Sequence, residues 1–291
     1  MGRIAGIVIA AGGGRRIGGP EALLRRGEAL LVDTVCGIAR EVGCAPLVVV
    51  LGAAANQVRA AAALTGTTVV VDKAWGTGLG SSLRVGLEAL TEATSPTAPA
   101  RATAASTGGA PAVSRAGLPV ASPASAPAAS RAGLPPAPPA GAPAASRAGP
   151  PASTASAPAA SPAGAPGASP AGAPAASPDG AAGGPVDAAL VLTVDMPGVT
   201  VEAARRVALL PHPGALVCAT YAGLRSYPML LGRRHWPGIA TLAKSDVGAR
   251  PYLLAHQTEI VDIACDAVAD GHRLDKPDLV TAFGLTRPTA D

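Results

Sequence analysis

Twenty of the chain's 30 prolines lie between Ser95 and Pro185. Proline fixes φ and removes a backbone donor, so neither a helix nor an interior strand runs through such a stretch. The remaining residues there are mostly Ala, Ser and Gly, and they repeat. Ser-Arg-Ala-Gly recurs at Ser114, Ser130 and Ser146, and Ala-Ser-Pro recurs around Ser161, Ser169 and Ser177. Such side chains bury too little apolar surface to offset the entropy of ordering them. The expectation for 95–185 is a disordered insert with polyproline II character, tolerated because loop-closure entropy grows only logarithmically with length. A passive expansion is the plainest role for it; a partner-binding or glycosylated stalk is the alternative. What remains, 1–94 and 186–291, reads as the two parts of one domain large enough for a single core.

Those two parts alternate strands with helices. Arg3 to Ala10 is an apolar, β-branched run that suits a central strand. Leu31 to Val42 suits a helix, Pro46 to Leu51 a strand, Asn56 to Leu64 a helix, and Thr67 to Val71 a short strand. Ser81 to Glu92 suits a helix capped by Ser81 or Ser82. Beyond the insert, Ala188 to Val194 is a fully apolar strand, Val201 to Leu210 a helix and Ala215 to Tyr221 a strand. The pattern predicts an α/β fold with a doubly wound, mainly parallel sheet. Ligands of such sheets sit at the carboxyl ends of the strands. That rule gathers the loops at 11–21, 52–56, 72–82 and 195–199 around one crevice.

Composition and charge narrow the function. The net charge is +4, but the insert holds Arg101, Arg115, Arg131 and Arg147 against Asp179 alone, which leaves only +1 for the rest. With six aromatic residues in all, the folded part carries no nucleic-acid footprint. No apolar run approaches the length of a membrane span. The opening Met1 to Ala11 is shorter than a secretory leader requires and reads as a buried strand, so a cytoplasmic protein is expected. Cys36, Cys44, Cys218 and Cys265 are scattered without metal-ligand spacing and read as small buried apolar residues.

Five motifs carry the chemistry. The first, Ala10-Ala11-Gly12-Gly13-Gly14-Arg15-Arg16-Ile17-Gly18-Gly19-Pro20, follows the first strand directly. Glycines let backbone N–H groups approach a phosphate, and an arginine adds a fork of donors. Ile17 stands where a dinucleotide fingerprint needs glycine, and no P-loop Gly-Lys-Ser/Thr is present. The second runs from Asp72 through Trp75, Gly76, Gly78, Ser81 and Ser82 to Gly86, a glycine-rich entry to a helix and so a ready anion site. The third is Leu192-Thr193-Val194-Asp195-Met196-Pro197, a carboxylate at a strand's carboxyl end that is well placed for Mg²⁺. The fourth pairs Tyr227-Pro228-Met229-Leu230 with Asp246-Val247-Gly248-Ala249-Arg250. The last is Arg273-Leu274-Asp275-Lys276-Pro277-Asp278-Leu279. Each also has a plain structural reading: a packed Trp75, Asp195 or Asp275 as a helix cap, an ion pair between Asp246 and Arg250.

Together and in this order, the motifs resemble those of molybdenum cofactor cytidylyltransferase-like nucleotidyltransferases. The first resembles their A-A-G-x-x-x-R-M-G-x-x-K signature and the second their N-x-x-W-x-x-G-x-x-S-S-L-x-x-G stretch. The third resembles their metal-binding Asp-Met-Pro. The fourth resembles their acceptor segment, with Ser226 and Tyr227 for Gly-His and Ser245 for a glycine. The last resembles their D-x-D-T-P-x-D-L ending, one residue shorter and with Arg273 for the first Asp. Glu21 stands in place of the signature lysine.

The resemblance implies a Rossmann-type nucleotidyltransferase fold and transfer of a nucleoside monophosphate, CMP from CTP, to a phosphate-bearing acceptor of the molybdopterin type. It implies Arg16 and Asp195 as catalytic residues. Ala10, Ala11, Gly12, Gly13, Gly14, Arg16, Gly78, Ser81 and Ser82 would bind the nucleotide, and Asp195 with Asp275 would hold Mg²⁺. Tyr227, Pro228, Asp246 and Arg250 would form the acceptor side. Two alternatives stand beside it. One is transfer to another small acceptor such as a sugar phosphate. The other, suggested by Glu21, is a non-catalytic nucleotide- or cofactor-binding protein serving a molybdoenzyme partner.

Overall fold

The computed structural model describes residues 2–95 and 185–288, which belong to one compact unit. The disorder expected over 95–185 lies outside them except at its two end residues. In chain order the elements are β1 (Ile4–Ala10), β2 (Arg25–Arg26), β3 (Ala29–Leu30), α1 (Leu31–Glu41), β4 (Leu47–Leu51), α2 (Ala55–Ala61), β5 (Thr68–Val71) and α3 (Leu79–Thr94). After the break come β6 (Ala188–Thr193), α4 (Val201–Val207), β7 (Leu216–Tyr221), β8 (Leu224–Gly232), α5 (Trp236–Leu242), α6 (Arg250–Ala255), β9 (Val261–Ala264), α7 (Pro277–Ala282) and β10 (Leu285–Thr286).

Seven strands form one sheet in the order β5-β4-β1-β6-β8-β7-β9. The half from β5 to β6 is parallel throughout, and β8 runs antiparallel to both β6 and β7. The expected mainly parallel sheet is present, and the chain crosses from Ile9 to Thr193 side by side on β1 and β6. These two strands are apolar on both faces because helices cover both. The helices α1 and α4 lie on one side, and α3 and α5 on the other. Leu83, Leu87 and Leu90 of α3 are fully buried, each a contribution of about 1.5–3 kcal/mol. Gly86 lets that helix approach, since a Cβ there would lie 2.8 Å from Ile7 Cγ2.

Several expected boundaries shift. The helix expected to begin at Ser81 begins at Leu79, and Gly78 is its N-cap; neither serine caps it. The helix at 201 ends at Val207, leaving Leu209 and Leu210 exposed. Strand β8 contains Pro228, which the ladder tolerates because the register with β7 shifts between Cys218 and Ala219, skipping 227–228. A second sheet, β10-β2-β3, ties the C-terminal segment to the first glycine-rich loop through a small core of Ile17, Leu24, Leu31, Leu274, Val280 and Leu285. All four cysteines are buried and free; burial pushes the thiols of Cys36, Cys44 and Cys218 up to about 12. Among the described residues no helix is long and apolar enough to cross a membrane.

Candidate functional site

The carboxyl ends of β1 and β6 open into a cleft of about 590 Å³. One wall is the loop after β1, residues 11–16 with Glu21; another is the entry to α3, with Trp75, Gly76, Gly78, Leu79 and Ser82. The floor holds Ile9, Thr193, Val194 and Asp195, and the rim is completed by Asp246 and by Arg273, Leu274 and Asp275.

The loop after β1 is a tight turn. Gly14 has φ 55° and its carbonyl accepts from both Ile17 N–H and Gly19 N–H at 3.0 Å; a Cβ there would collide with the backbone of Gly19. Arg15 and Arg16 are exposed on it, and the guanidinium of Arg15 lies 5.8 Å from the centre of the Trp75 ring. Trp75 is half-buried at the rim rather than a core plug. The entry to α3 depends on Gly78, whose φ of 114° and lack of Cβ admit the turn at Ser245 and Asp246. That contact is what carries Asp246 to the cleft.

Arginines and carboxylates share the site: Arg15, Arg16 and Arg273 face Glu21, Asp195, Asp246 and Asp275. Arg273 donates Nε–H to Asp195 Oδ2 at 2.8 Å and Nη2–H to the same oxygen. Asp195 also accepts, through its backbone carbonyl, from Leu274 N–H at 2.7 Å. Its Oδ1 is buried with no partner, as are Glu21 Oε2 and Thr193 Oγ1. Glu21 is only 9% exposed. Its carboxyl folds back over Gly12, where a Cβ would sit 2.5 Å from Oε2. Burial raises the Glu21 carboxyl above the usual range; the charge of Asp195 adds to this, while its own backbone N–H, Arg273 and the Gly14 N–H pull the other way.

Of the residues expected at the site, Ala11, Gly12, Gly13, Gly14, Arg16, Gly78, Ser82, Asp195, Asp246 and Asp275 line the cleft. Ala10 is buried in β1 and does not. Ser81 does not either: its hydroxyl donates to Asp72 Oδ1 and that of Ser82 to Oδ2, both at 2.9 Å, with Ala74 N–H also on Oδ1. The serines of the second motif thus hold a buried aspartate. The loop at 52–56 lies behind the cleft, with Gly52 packed on Ala11 and Trp75. Tyr227 and Pro228 are buried in β8 and Arg250 is exposed at the start of α6, none of them lining it. No Asp246–Arg250 ion pair forms among the described residues. Sequence reasoning passed over Thr193 and Leu274 as site residues. Both stood inside quoted motifs; the pairing of β6 with β1 and the Leu274 N–H on the Asp195 carbonyl bring them to the cleft.

Among the described residues, no three His, Cys, Asp or Glu side chains gather into a group able to hold a metal. A hard divalent ion that shares its coordination with substrate phosphates needs only one or two carboxylates, and the free Oδ1 of Asp195 fits that requirement.

A family profile described as a MobA-like NTP transferase domain matches residues 6–101 and 140–260. The solved structure of Rv0371c from Mycobacterium tuberculosis H37Rv is similar at TM-score 0.57 and 19% identity, covering 97% of each chain. Its manganese complex gives TM-score 0.50 at 18% identity, over 90% of this chain and 88% of that one. Mth528, a nucleotidyl transferase of Methanothermobacter, gives 0.54 at 14%, covering 97% of each. The nicotine blue oxidoreductase of Paenarthrobacter nicotinovorans is 40% identical over 84 residues, a match spanning 28% of this chain and 41% of that protein.

Proposed function

The chain belongs to the MobA-like NTP transferase domain family, and from that premise we propose that it is a divalent-metal-dependent nucleotidyltransferase, moving CMP from CTP onto a phosphate-bearing acceptor of the molybdopterin type. The observation that carries the reading is the cleft itself. It joins a glycine-rich turn after β1 to a carboxylate just beyond the end of the neighbouring parallel strand β6. In this reading the N–H groups of Gly12 and Gly13 and the guanidinium of Arg16 cradle the phosphates, with Gly78 and Ser82 beside them, while the Gly14 N–H stays on the Glu21 carboxyl. Asp195 Oδ1 would hold the ion, with Asp275 as a second carboxylate. The solved complex of Rv0371c with manganese supports a divalent metal on this fold. When bound, that ion neutralises phosphate charge in the transition state.

The chain's own part is positioning. A phosphate oxygen of the acceptor attacks the α-phosphorus and forms the new P–O bond. The bond from the α-phosphorus to the bridging oxygen breaks, and pyrophosphate leaves with the electron pair. The nucleophile is already ionised at neutral pH, so no general base is required. In this reading Asp246, which lines the same cleft, would face the acceptor, and Tyr227, Pro228 and Arg250 would shape that side from outside the lining.

Pyrophosphate release with each of the four NTPs and Mg²⁺, over molybdopterin and sugar-phosphate acceptors, tests this. Release with one donor and acceptor supports the reading and names them. Binding without release, with turnover gained in Glu21→Lys, would instead support the non-catalytic binding protein. A second reading, oxidoreductase chemistry, is favoured by one observation, the 40% identity to nicotine blue oxidoreductase. Reduction of nicotine blue by an added hydride donor such as a reduced nicotinamide cofactor, itself oxidised in step and with no NTP present, would replace the transferase reading.

A further inference from the structure

Three side-chain oxygens among the described residues are buried with no hydrogen-bond partner: Glu21 Oε2, Thr193 Oγ1 and Asp195 Oδ1. All three residues line the same cleft. Buried polar atoms are almost always paired, so three orphans converging in one place call for a ligand. We propose that Glu21, Thr193 and Asp195 form a preassembled divalent-cation site, in which Glu21 is a ligand that this chain adds to the strand-end aspartate. The proposal rests on the transferase reading only for its choice of a divalent ion.

The geometry follows from the sheet. Thr193 ends β6 opposite Ile9 of β1, and Asp195 stands two residues further on. Strand β1 leads into Gly12, and the Glu21 carboxyl returns across that glycine because no Cβ blocks it. Thr193 is a second, independent indication: it is 5% exposed, its hydroxyl faces the cleft, and it donates to neither carboxylate. A donor ligand would leave the two carboxylates repelling each other, whereas a cation removes the repulsion. The donor set is all oxygen, which suits a hard ion such as Mg²⁺ or Mn²⁺.

The neighbouring contacts leave room for it. Arg273 occupies only Oδ2 of Asp195, so an ion takes Oδ1 without breaking that pair. With Glu21, Asp195 and Arg273 all charged, the centre is formally −1; a divalent ion turns it to +1 and makes it attractive to phosphate. The cation that a lysine would supply at position 21 is thereby supplied by the metal, which binds before the nucleotide.

The test is titration of Mn²⁺ into the full chain without nucleotide, reading free Mn²⁺ by electron paramagnetic resonance. Wild type takes up one equivalent, which Mg²⁺ displaces. Glu21→Gln weakens binding at least tenfold and Thr193→Val about threefold, while Glu202→Gln, on the exposed face of α4, leaves it unchanged. As a second measurement, Mn²⁺ raises the melting temperature of wild type and raises it less in both site variants; melts in EDTA establish that each variant is folded. Equal binding by wild type and Glu21→Gln, or no uptake by folded wild type, overturns the proposal. Uptake that depends on Glu21 without turnover on any NTP keeps the site and sinks the transferase reading. Turnover without nucleotide-free uptake sinks the site alone.

Discussion

Asp72 and Glu21 are both buried carboxylates on loops that follow parallel strands, and they are treated in opposite ways. Asp72 is 1% exposed, and both of its oxygens accept from serine hydroxyls, with a backbone N–H in addition. Glu21 keeps one buried oxygen with no donor and shares its cleft with Asp195 and Thr193, which are in the same condition. A buried carboxylate with both oxygens answered stiffens a fold; one with an oxygen left unanswered costs stability and persists where a ligand completes it. Within the loop of 72–82, Asp72 is therefore a brace behind the cleft wall, whereas in the loop of 12–21 Glu21 stands with an oxygen open for a ligand.

That contrast can be broken most sharply at Asp195, whose Oδ1 is one of the orphans. Asp195→Ala is expected to lower pyrophosphate release by about 10²–10³-fold with the protein still folded. Normal turnover in that variant would remove Asp195 from the chemistry. Asp72→Ala should do the reverse. It strands the hydroxyls of Ser81 and Ser82, each a loss of about 1–3 kcal/mol, and urea unfolding should show a drop of about 2–4 kcal/mol. A midpoint unchanged from wild type would mean that the brace bears no weight.

Glu21→Gln should stabilise the metal-free protein at neutral pH by about 1–3 kcal/mol, because it removes a buried charge that lacks a full set of partners. The pH dependence has a definite sign. Burial, with the charge of Asp195 adding to it, raises the folded-state pKa of Glu21 above its unfolded value. The wild type therefore carries the penalty above the raised pKa. The gain from glutamine should shrink as pH falls through that value and be gone below about pH 4. A gain that persists in acid, in EDTA, would point to packing rather than charge. The smallest effect is expected at the rim. Arg15→Ala removes the contact with the Trp75 ring, worth about 0.5–1 kcal/mol at an exposed site, and should weaken nucleotide binding a few-fold. Trp75 emission would report it, since the second tryptophan, Trp236, is buried.

Much of this was legible before any coordinates. The β-branched run of β1, the apolar β6 and the glycine-rich turn after β1 obey local rules, and the strand-end Asp195 was located by the same rules. In the second motif the serine cap and Ser81 as a lining residue did not hold, for a physical reason. A serine pair near a helix start looks like a cap or an anion site, but the two carboxylate oxygens of Asp72, nine and ten residues earlier, take one hydroxyl each. Tyr227, Pro228 and Arg250 were sought at the acceptor side from their motif order. Burial in β8 keeps the first two, and exposure at the start of α6 the third, out of the lining of the cleft, although the Tyr227 phenol still feels the charges of Arg273 and Asp195.

What the sequence determined by itself is the set of elements and the identity of the two loops, because strand and helix periodicity and glycine turns depend on near neighbours along the chain. What only the tertiary structure decided is which charges meet. Arg273 reaches Asp195 across 78 residues, and Arg287 reaches the carbonyl of Ile17 across 270, binding the C-terminal segment to the first loop. No local pattern specifies such pairs. They exist because the second small sheet and its core bring the end of the chain to the mouth of the cleft, and packing at that distance is a property of the whole fold.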